Sequence, residues 1–150
     1  MKIEEKINES IKDSMKKKDN IRLDSLRAIK SAILIEKTKS GSKDHIEESV
    51  ILKILQKMVK QRNDSAKIYL EQKRDELANV EISQADIISE FLPAQLSESD
   101  LSEIIDKVIT DIGADSMKDM GKVISVVTEK VSGQAEGRVI AEIVKRKLMG

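Results

Sequence analysis

The sequence contains no cysteine, no tryptophan, and only one proline, one phenylalanine and one tyrosine in 150 residues. Without cysteine the chain cannot form disulfides, thiolate metal sites or a thiol nucleophile, and its composition suits a reducing compartment. Its N-terminal residues include no apolar stretch like a signal-peptide core, and no segment approaches the roughly 20 apolar residues of a membrane span. These absences predict a soluble, cytoplasmic protein with no membrane partner.

A net charge is also absent, because 27 Lys and Arg residues balance 27 Asp and Glu residues. A neutral chain has no overall field that attracts nucleic acid or a membrane, so such binding requires a local patch. Charged residues nevertheless make up 36% of the chain. Together with the shortage of aromatic residues, this composition favours solvated helices whose cores are filled by Ile, Leu, Val and Met.

Apolar residues recur every three or four positions through most of the chain, which predicts an all-α fold. Four helices are predicted before residue 93. The first helix buries a stripe made of Ile3, Ile7, Ile11 and Met15. The second ends at Gly41, which suits a left-handed stop, and the third begins at a capping pattern formed by Asp44 and Glu47. The fourth is predicted from about residue 75 to residue 90.

The only proline, Pro93, marks a predicted domain boundary, because proline interrupts the helical hydrogen-bond ladder and disfavours helix in the residue before it. We predict an N-terminal helical domain over residues 1–93 and a C-terminal three-helix domain over residues 94–150. Few contacts are expected to cross the segment from Pro93 to Ser97. That segment is therefore predicted to be an early site of proteolytic cleavage.

Polar caps and glycine stops divide the C-terminal domain into three predicted helices. The predicted caps are Ser97 with Asp100 and Ser116 with Asp119. The predicted stops are Gly113 and Gly133, and the last helix is predicted to begin near Gly137.

No arrangement of residues in the sequence points to catalysis. His45 is the only histidine, and the pattern places it in the first turn of the third helix, where a solvated role explains it. Asp and Glu residues are spread among Lys at helical spacing, which is typical of ion-paired, solvated faces. The sequence has neither a Walker-type phosphate loop nor a Gly-x-Gly-x-x-Gly motif. We predict no catalytic residue, no metal site and no cofactor.

Two polar stripes in the C-terminal domain are candidates for binding a macromolecule. On its second helix Gly121 lies between two lysines, and a glycine inside a helix is costly unless another backbone must approach closely. At the start of its third helix Gly137 precedes Arg138, and free N–H groups beside a guanidinium suit a phosphate. The candidate RNA-binding residues are Lys118, Gly121, Lys122, Gly137, Arg138 and Lys145.

Each stripe also has a purely structural interpretation. In this interpretation Gly121 allows close packing between helices on an otherwise solvated face, and Gly137 is part of a turn. The basic runs Lys16–Lys18 and Lys145–Lys147 each end a helix, where the helix dipole favours cations without any ligand.

Three C-terminal motifs carry a resemblance to a known family. They are Phe91-Leu-Pro-Ala-Gln-Leu-Ser, Gly113-Ala-Asp-Ser-Met-Lys-Asp-Met-Gly-Lys-Val and Gly133-Gln-Ala-Glu-Gly-Arg-Val. The N-terminal half agrees through Leu23-Asp-Ser-Leu-Arg-Ala-Ile-Lys-Ser-Ala-Ile and Leu55-Gln-Lys-Met-Val-Lys-Gln-Arg. In this order the chain resembles the YqeY family. That family shares its small C-terminal domain with the tail of GatB, a subunit of bacterial tRNA-dependent amidotransferases.

The resemblance implies a four-helix N-terminal unit followed by a three-helix GatB/YqeY unit. It also implies a link to glutamine-dependent amidation of mischarged tRNA, which is classed as carbon-nitrogen ligase activity with glutamine as amido-N-donor. In the amidotransferase the tail domain helps to hold tRNA, whereas its catalytic domains have no counterpart in this sequence. The expected function is a tRNA-binding accessory protein without its own catalytic centre. Its expected partners are tRNA and an amidotransferase or aminoacyl-tRNA synthetase, and not DNA.

The alternative hypothesis is a protein-interaction adaptor, in which Met117, Val123 and Val126 dock a partner helix. Residues 94–150 hold 8 Lys and Arg against 10 Asp and Glu. RNA binding by this unit therefore depends on a segregated basic patch, because phosphate neutralisation supplies most non-specific affinity. The unit also lacks aromatic residues, which leaves backbone and shape recognition rather than base stacking.

Overall fold

The computed structural model describes residues 2–41 and 45–150. Across these residues the chain forms α-helices and one short 3-10 turn, with no strand, so the predicted all-α fold is confirmed. None of the helices in the described ranges is both long and apolar enough to span a membrane. The helices are α1 (Ile3–Lys17), α2 (Asn20–Ser40), α3 (Glu48–Glu71), α4 (Asp75–Ser89), α5 (Glu98–Ile112), α6 (Met120–Val131) and α7 (Gly137–Met149), with the 3-10 turn at Met117–Asp119.

Contacts divide the chain into two compact units, Met1–Leu92 and Pro93–Gly150. In the N-terminal unit α3 and α4 form a closely packed pair, and α2 packs against α1, α3 and α4. The charged pair between Arg22 and Glu90, 2.6 Å apart, joins the start of α2 to the end of α4. The buried core of this unit consists of Ile3, Ile7, Leu26, Ile29, Ile33, Ile51, Leu55, Met58 and Ile88.

The C-terminal unit packs α5, α6 and α7 against one another. The Ser97 hydroxyl accepts the Asp100 N–H at 3.1 Å, which confirms the predicted cap of α5. Gly113 has a φ of 68°, so it is the left-handed stop that the sequence predicts. The buried core consists of Leu101, Ile105, Val108, Val123, Val127, Val131, Ile140, Ile143 and Val144.

The start of α3 differs from the prediction. The helix begins at Glu48, Glu47 precedes it without a side-chain cap, and Asp44 lies outside the described residues. His45 therefore comes before the helix rather than in its first turn, and its exposed Nε2 lies 3.2 Å from Glu47 Oε1. The Glu48 carboxylate accepts the N–H of Ile3 at 3.2 Å, so it stabilises the beginning of α1.

The apolar stripe of α1 also differs from the prediction at its end. Ile3 and Ile7 are buried, but Met15 is 55% exposed and Ser14 takes the inward position. A stripe with a strict four-residue step turns by about 40° per step around a helix of 3.6 residues per turn. After three steps Met15 has rotated by about 120° away from Ile3, and this rotation takes it out of the core.

The segment that follows Pro93 is hydrogen-bonded to the rest of the C-terminal unit. The Leu96 N–H donates to the Gln134 carbonyl at 2.9 Å, and Gln95 Nε2 donates to the Gly133 carbonyl at 2.8 Å. Gln134 Nε2 in turn donates to the Ala94 carbonyl at 3.4 Å. Two of the motifs that resemble the YqeY family are thus hydrogen-bonded to each other, and their glutamines have a structural role. These bonds lie within the C-terminal unit, and the sequence did not predict them.

Candidate nucleic-acid interface

The segment before α6 forms a tight 3-10 turn in place of the predicted helix start. Ser116 makes no side-chain capping bond, and the Asp119 carboxylate instead accepts the Asp115 N–H at 3.2 Å. Because α6 begins at Met120, Gly121 is its second residue and not an interior one. Gly121 thus lies within the helix, but in its first turn and directly after the 3-10 turn.

Gly121 is exposed, and the helices around it do not require it to be a glycine. A Cβ added at this position would meet no atom within 4 Å. Close packing between helices, which was the structural alternative, therefore does not explain the residue. The backbone here is open to solvent and accessible to a ligand.

Gly137 is the first residue of α7, as the sequence predicts. This helix has no side-chain cap at its N-terminus, and a Cβ at Gly137 would also meet nothing within 4 Å. Glu136 precedes it, and its Oε1 is buried without a hydrogen-bond partner among the described residues. The start of α7 thus combines the exposed Gly137 and Arg138 with the partly buried Glu136, which comes just before the helix.

The four basic candidates share one property. Lys118, Lys122, Arg138 and Lys145 are all exposed, and none forms an ion pair with any residue that the structure describes.

The neighbours of Lys145 in the basic run at the end of α7 are different. Arg146 lies 3.2 Å from Glu98, and Lys147 lies 2.7 Å from Asp106. Both partners belong to α5, so these two cations link α7 to α5. Lys145 is the cation of this run that has no ion-pair partner among the described residues.

The candidates lie on two helices that contact each other. Helices α6 and α7 are joined by the five residues 132–136, and the 3-10 turn also packs against α7. Lys118, Gly121 and Lys122 lie in the 3-10 turn and at the beginning of α6, whereas Lys145 lies near the end of α7.

Gly137 and Arg138 lie at the beginning of α7. Ten residues separate Gly121 from the end of α6, which corresponds to about 15 Å along the helix axis. Arg138 is two helical turns, or about 10 Å, from Lys145 along the same side of α7. The candidates thus extend along the α6–α7 pair and do not converge on one point.

The surface expected for the adaptor hypothesis is mostly absent. Val123 is fully buried, and Val126 is partly buried against the core of the unit, which contradicts their expected exposure. Met117 is 41% exposed as expected. Met149, which the sequence reasoning missed, is 67% exposed at the end of α7. Because Met149 follows the last buried residue of α7, its exposure could have been predicted from the helical spacing.

No set of three His, Cys, Asp or Glu side chains in residues 2–41 and 45–150 is arranged to hold a metal ion. The one histidine is exposed and next to Glu47. The described part of the chain is therefore an all-α protein of two small units. The second unit presents exposed cations without ion-pair partners on α6, on α7 and in the turn before α6.

A family model described as Yqey-like protein matches residues 4–148. The match covers nearly the whole chain, and the protein belongs to the YqeY family.

Three curated relatives are each named "Altered inheritance of mitochondria protein 41, mitochondrial". The relative from Clavispora lusitaniae is 33% identical over 106 residues, which cover 69% of this chain and 61% of the relative. Those from Candida glabrata and Kluyveromyces lactis are 29% and 26% identical over 57% and 71% of this chain, and over 47% and 58% of their own lengths. The chain thus spans about half to three fifths of these relatives.

The names of these relatives contradict the predicted cytoplasmic location, because all three are mitochondrial proteins. The prediction is therefore wrong. It depended on the lack of cysteine and of a signal-peptide core, and neither absence distinguishes the cytoplasm from a mitochondrial compartment.

Proposed function

We propose that the protein is an RNA-binding accessory protein that holds tRNA along its α6–α7 pair and has no catalytic centre of its own. The observation that carries this proposal is the set of exposed, unpaired cations at Lys118, Lys122, Arg138 and Lys145. Arg146 and Lys147 of the same unit have carboxylate partners on α5, whereas these four cations have none among the described residues and can pair with phosphates.

The spacing of the candidates suits an extended ligand. A duplex places one phosphate per strand about every 3.4 Å along its axis, so the roughly 10 Å between Arg138 and Lys145 corresponds to about three phosphates. Gly121 and Gly137 leave room for a sugar-phosphate backbone, since neither carries a side chain and neither has a neighbour in the Cβ position. No aromatic residue is available in this unit for base stacking, which favours recognition of backbone and shape.

The proposed partners follow from the family resemblance to the tail of GatB. The protein would deliver or retain tRNA for an amidotransferase or an aminoacyl-tRNA synthetase. The carbon-nitrogen ligase chemistry of amidation would then belong to that partner, because the sequence contains no cysteine and only one histidine that could act as a nucleophile or base.

The experiment is a titration of labelled tRNA with the full chain at several salt concentrations. Four phosphate contacts should give a slope of about −3 to −4 in a plot of log affinity against log salt. The double variant Lys118→Glu and Lys122→Glu should bind more weakly and show a flatter slope. Gly121→Leu should weaken binding at unchanged charge, since the open space around Gly121 lets the variant fold.

The matched control for Lys122→Glu alone is Lys107→Glu on α5, because each variant reverses one charge. Lys107 is exposed and makes no ion pair within the described residues, and it lies on α5 rather than on α6 or α7. Binding should change much less for Lys107→Glu than for Lys122→Glu. The RNA proposal fails if the wild-type protein binds tRNA no better than the double variant at about 50 mM salt.

The second candidate function, a protein-interaction adaptor, is favoured by one observation. Met117 and Met149 of the C-terminal unit are both exposed. Exposed methionines adapt well to varied partners. If the titration shows no specific tRNA binding, the adaptor function explains the exposed methionines better.

A further inference from the structure

Helix α2 of the N-terminal unit is apolar on two sides. Leu26, Ile29 and Ile33 are buried in the core, whereas Leu34 and Ile35 are 63% and 66% exposed. A helix on the surface of a monomer normally keeps its outer face polar. The exposed pair is therefore a feature that packing within the unit does not explain.

A groove between α1 and α2 lies beside Leu34. Its volume is about 110 Å³, and its apolar lining consists of the buried Ile7 and Ile33 together with Leu34. A cavity only somewhat larger, about 150 Å³, can hold a benzene molecule, so this groove can take one branched aliphatic side chain.

The edge of the groove is basic. Lys37 lies 2.8 Å from Glu4, which neutralises the one carboxylate in the lining. Lys30 also lines the groove, and Arg27 is one turn before it. Both are exposed, and neither forms an ion pair with a described residue. We call Arg27, Lys30 and Leu34, which follow one another at helical spacing, the basic stripe.

Helix α4 of the same unit has the opposite character. Its sequence holds four carboxylates and no Lys or Arg, whereas α2 holds five Lys and Arg against two carboxylates. Asp75, Asn79, Ile82 and Asp86 are all exposed at helical spacing, and we call them the acidic stripe. Neither aspartate of the acidic stripe has an ion-pair partner among the described residues. Ile82, which lies between them, is 37% exposed.

We propose that the basic stripe on α2 of one copy binds the acidic stripe on α4 of a second copy. Charge complementarity carries this proposal, since each stripe presents an aliphatic side chain next to unpaired charges of opposite sign. Ile82 would enter the groove beside Leu34, and Asp86 would meet Lys30. In a symmetric dimer each copy contributes both stripes, so the contact is made twice.

The test is sedimentation of the full chain at low salt over concentrations up to about 200 µM, which detects association of micromolar or weaker affinity. The wild-type mass should rise above that of a monomer, and added salt should reverse the rise. A monomer at every concentration would overturn the proposal.

Charge reversal gives the more specific test. Lys30→Glu alone and Asp86→Lys alone should each raise the dissociation constant by about tenfold or more, because each places like charges opposite one another. A mixture of the two variants should associate about as tightly as the wild type, since both contacts of the mixed dimer again join opposite charges. A mixture no tighter than either variant would overturn the proposal.

The apolar contact has a matched control on the same helix. Leu34→Gln should weaken association by about tenfold, while Ile35→Gln should leave it unchanged. Both residues are about two-thirds exposed, so neither substitution should disturb the fold. Equal effects at the two positions would exclude the groove as the binding site. All of these residues lie in the N-terminal unit, so the outcome does not depend on tRNA binding by the C-terminal unit.

Discussion

Two serines lie fully inside the N-terminal unit and differ in their hydrogen bonds. Ser14 is 1% exposed and Ser25 is 0% exposed. The Ser25 hydroxyl donates to the Ile21 carbonyl at 3.1 Å, whereas the Ser14 hydroxyl has no partner among the described residues. A buried hydroxyl without a partner destabilises the folded state, because it loses its hydrogen bonds to water.

The Ser14→Ala variant should therefore be more stable than the Ser25→Ala variant. Both changes remove a helical serine hydroxyl, so the gain in helix propensity cancels between them. We expect the free energy of unfolding of Ser14→Ala to exceed that of Ser25→Ala by about 1 kcal/mol. Denaturant unfolding of the two variants measures this difference. Equal stabilities would mean that the Ser14 hydroxyl finds a partner, such as a water molecule.

Among the elements, the connection from α4 to α5 is hydrogen-bonded to the loop between α6 and α7. The bonds between residues 94–96 and the α6–α7 loop depend on the amides of Gln95 and Gln134. Gln134→Ala removes the side-chain donor to Ala94, although the backbone bond from Leu96 to residue 134 is retained. Limited proteolysis should cleave the segment 93–97 several-fold faster in this variant than in the wild type.

The control for this proteolysis is Gln84→Ala, which removes an amide side chain in the N-terminal unit that accepts a hydrogen bond from Arg62 at 3.1 Å. Cleavage at 93–97 should not change in that variant. If Gln134→Ala is cleaved no faster than the wild type, the amide bonds do not hold the segment in solution.

The glycine stops of the helices and the starts of α5 and α7 could be predicted from the sequence, but the starts of α3 and α6 and the ion pairs could not. Gly41 and Gly113 end α2 and α5 with φ values of 77° and 68°, because glycine adopts the left-handed conformation without strain. The cap pattern at Ser116 was misleading because the same residues form a 3-10 turn before α6. The sequence also could not show that Arg146 and Lys147 pair with α5 while Lys145 does not, since these partners lie about 40 residues away.

For the molecule as a whole, each unit has its own buried core and no residue is shared between the two cores. A chain of about 60 residues buries only about 60% of its unfolded surface, so a separate C-terminal unit would be only marginally stable. Its core nevertheless includes buried residues from all three helices, and two ion pairs join α7 to α5. These features favour a unit that can fold alone.

A fragment of residues 93–150 should therefore be helical and unfold cooperatively, with a stability of no more than about 3–5 kcal/mol. A fragment of residues 98–150 is the matched comparison, and it should be less stable or unfolded. It lacks Leu96, which packs against the core, and the bond from the Leu96 N–H to the Gln134 carbonyl. Circular dichroism during denaturant unfolding measures both. Equal stability would show that the segment before α5 contributes nothing to the C-terminal unit, and an unfolded longer fragment would show that this unit depends on the N-terminal one.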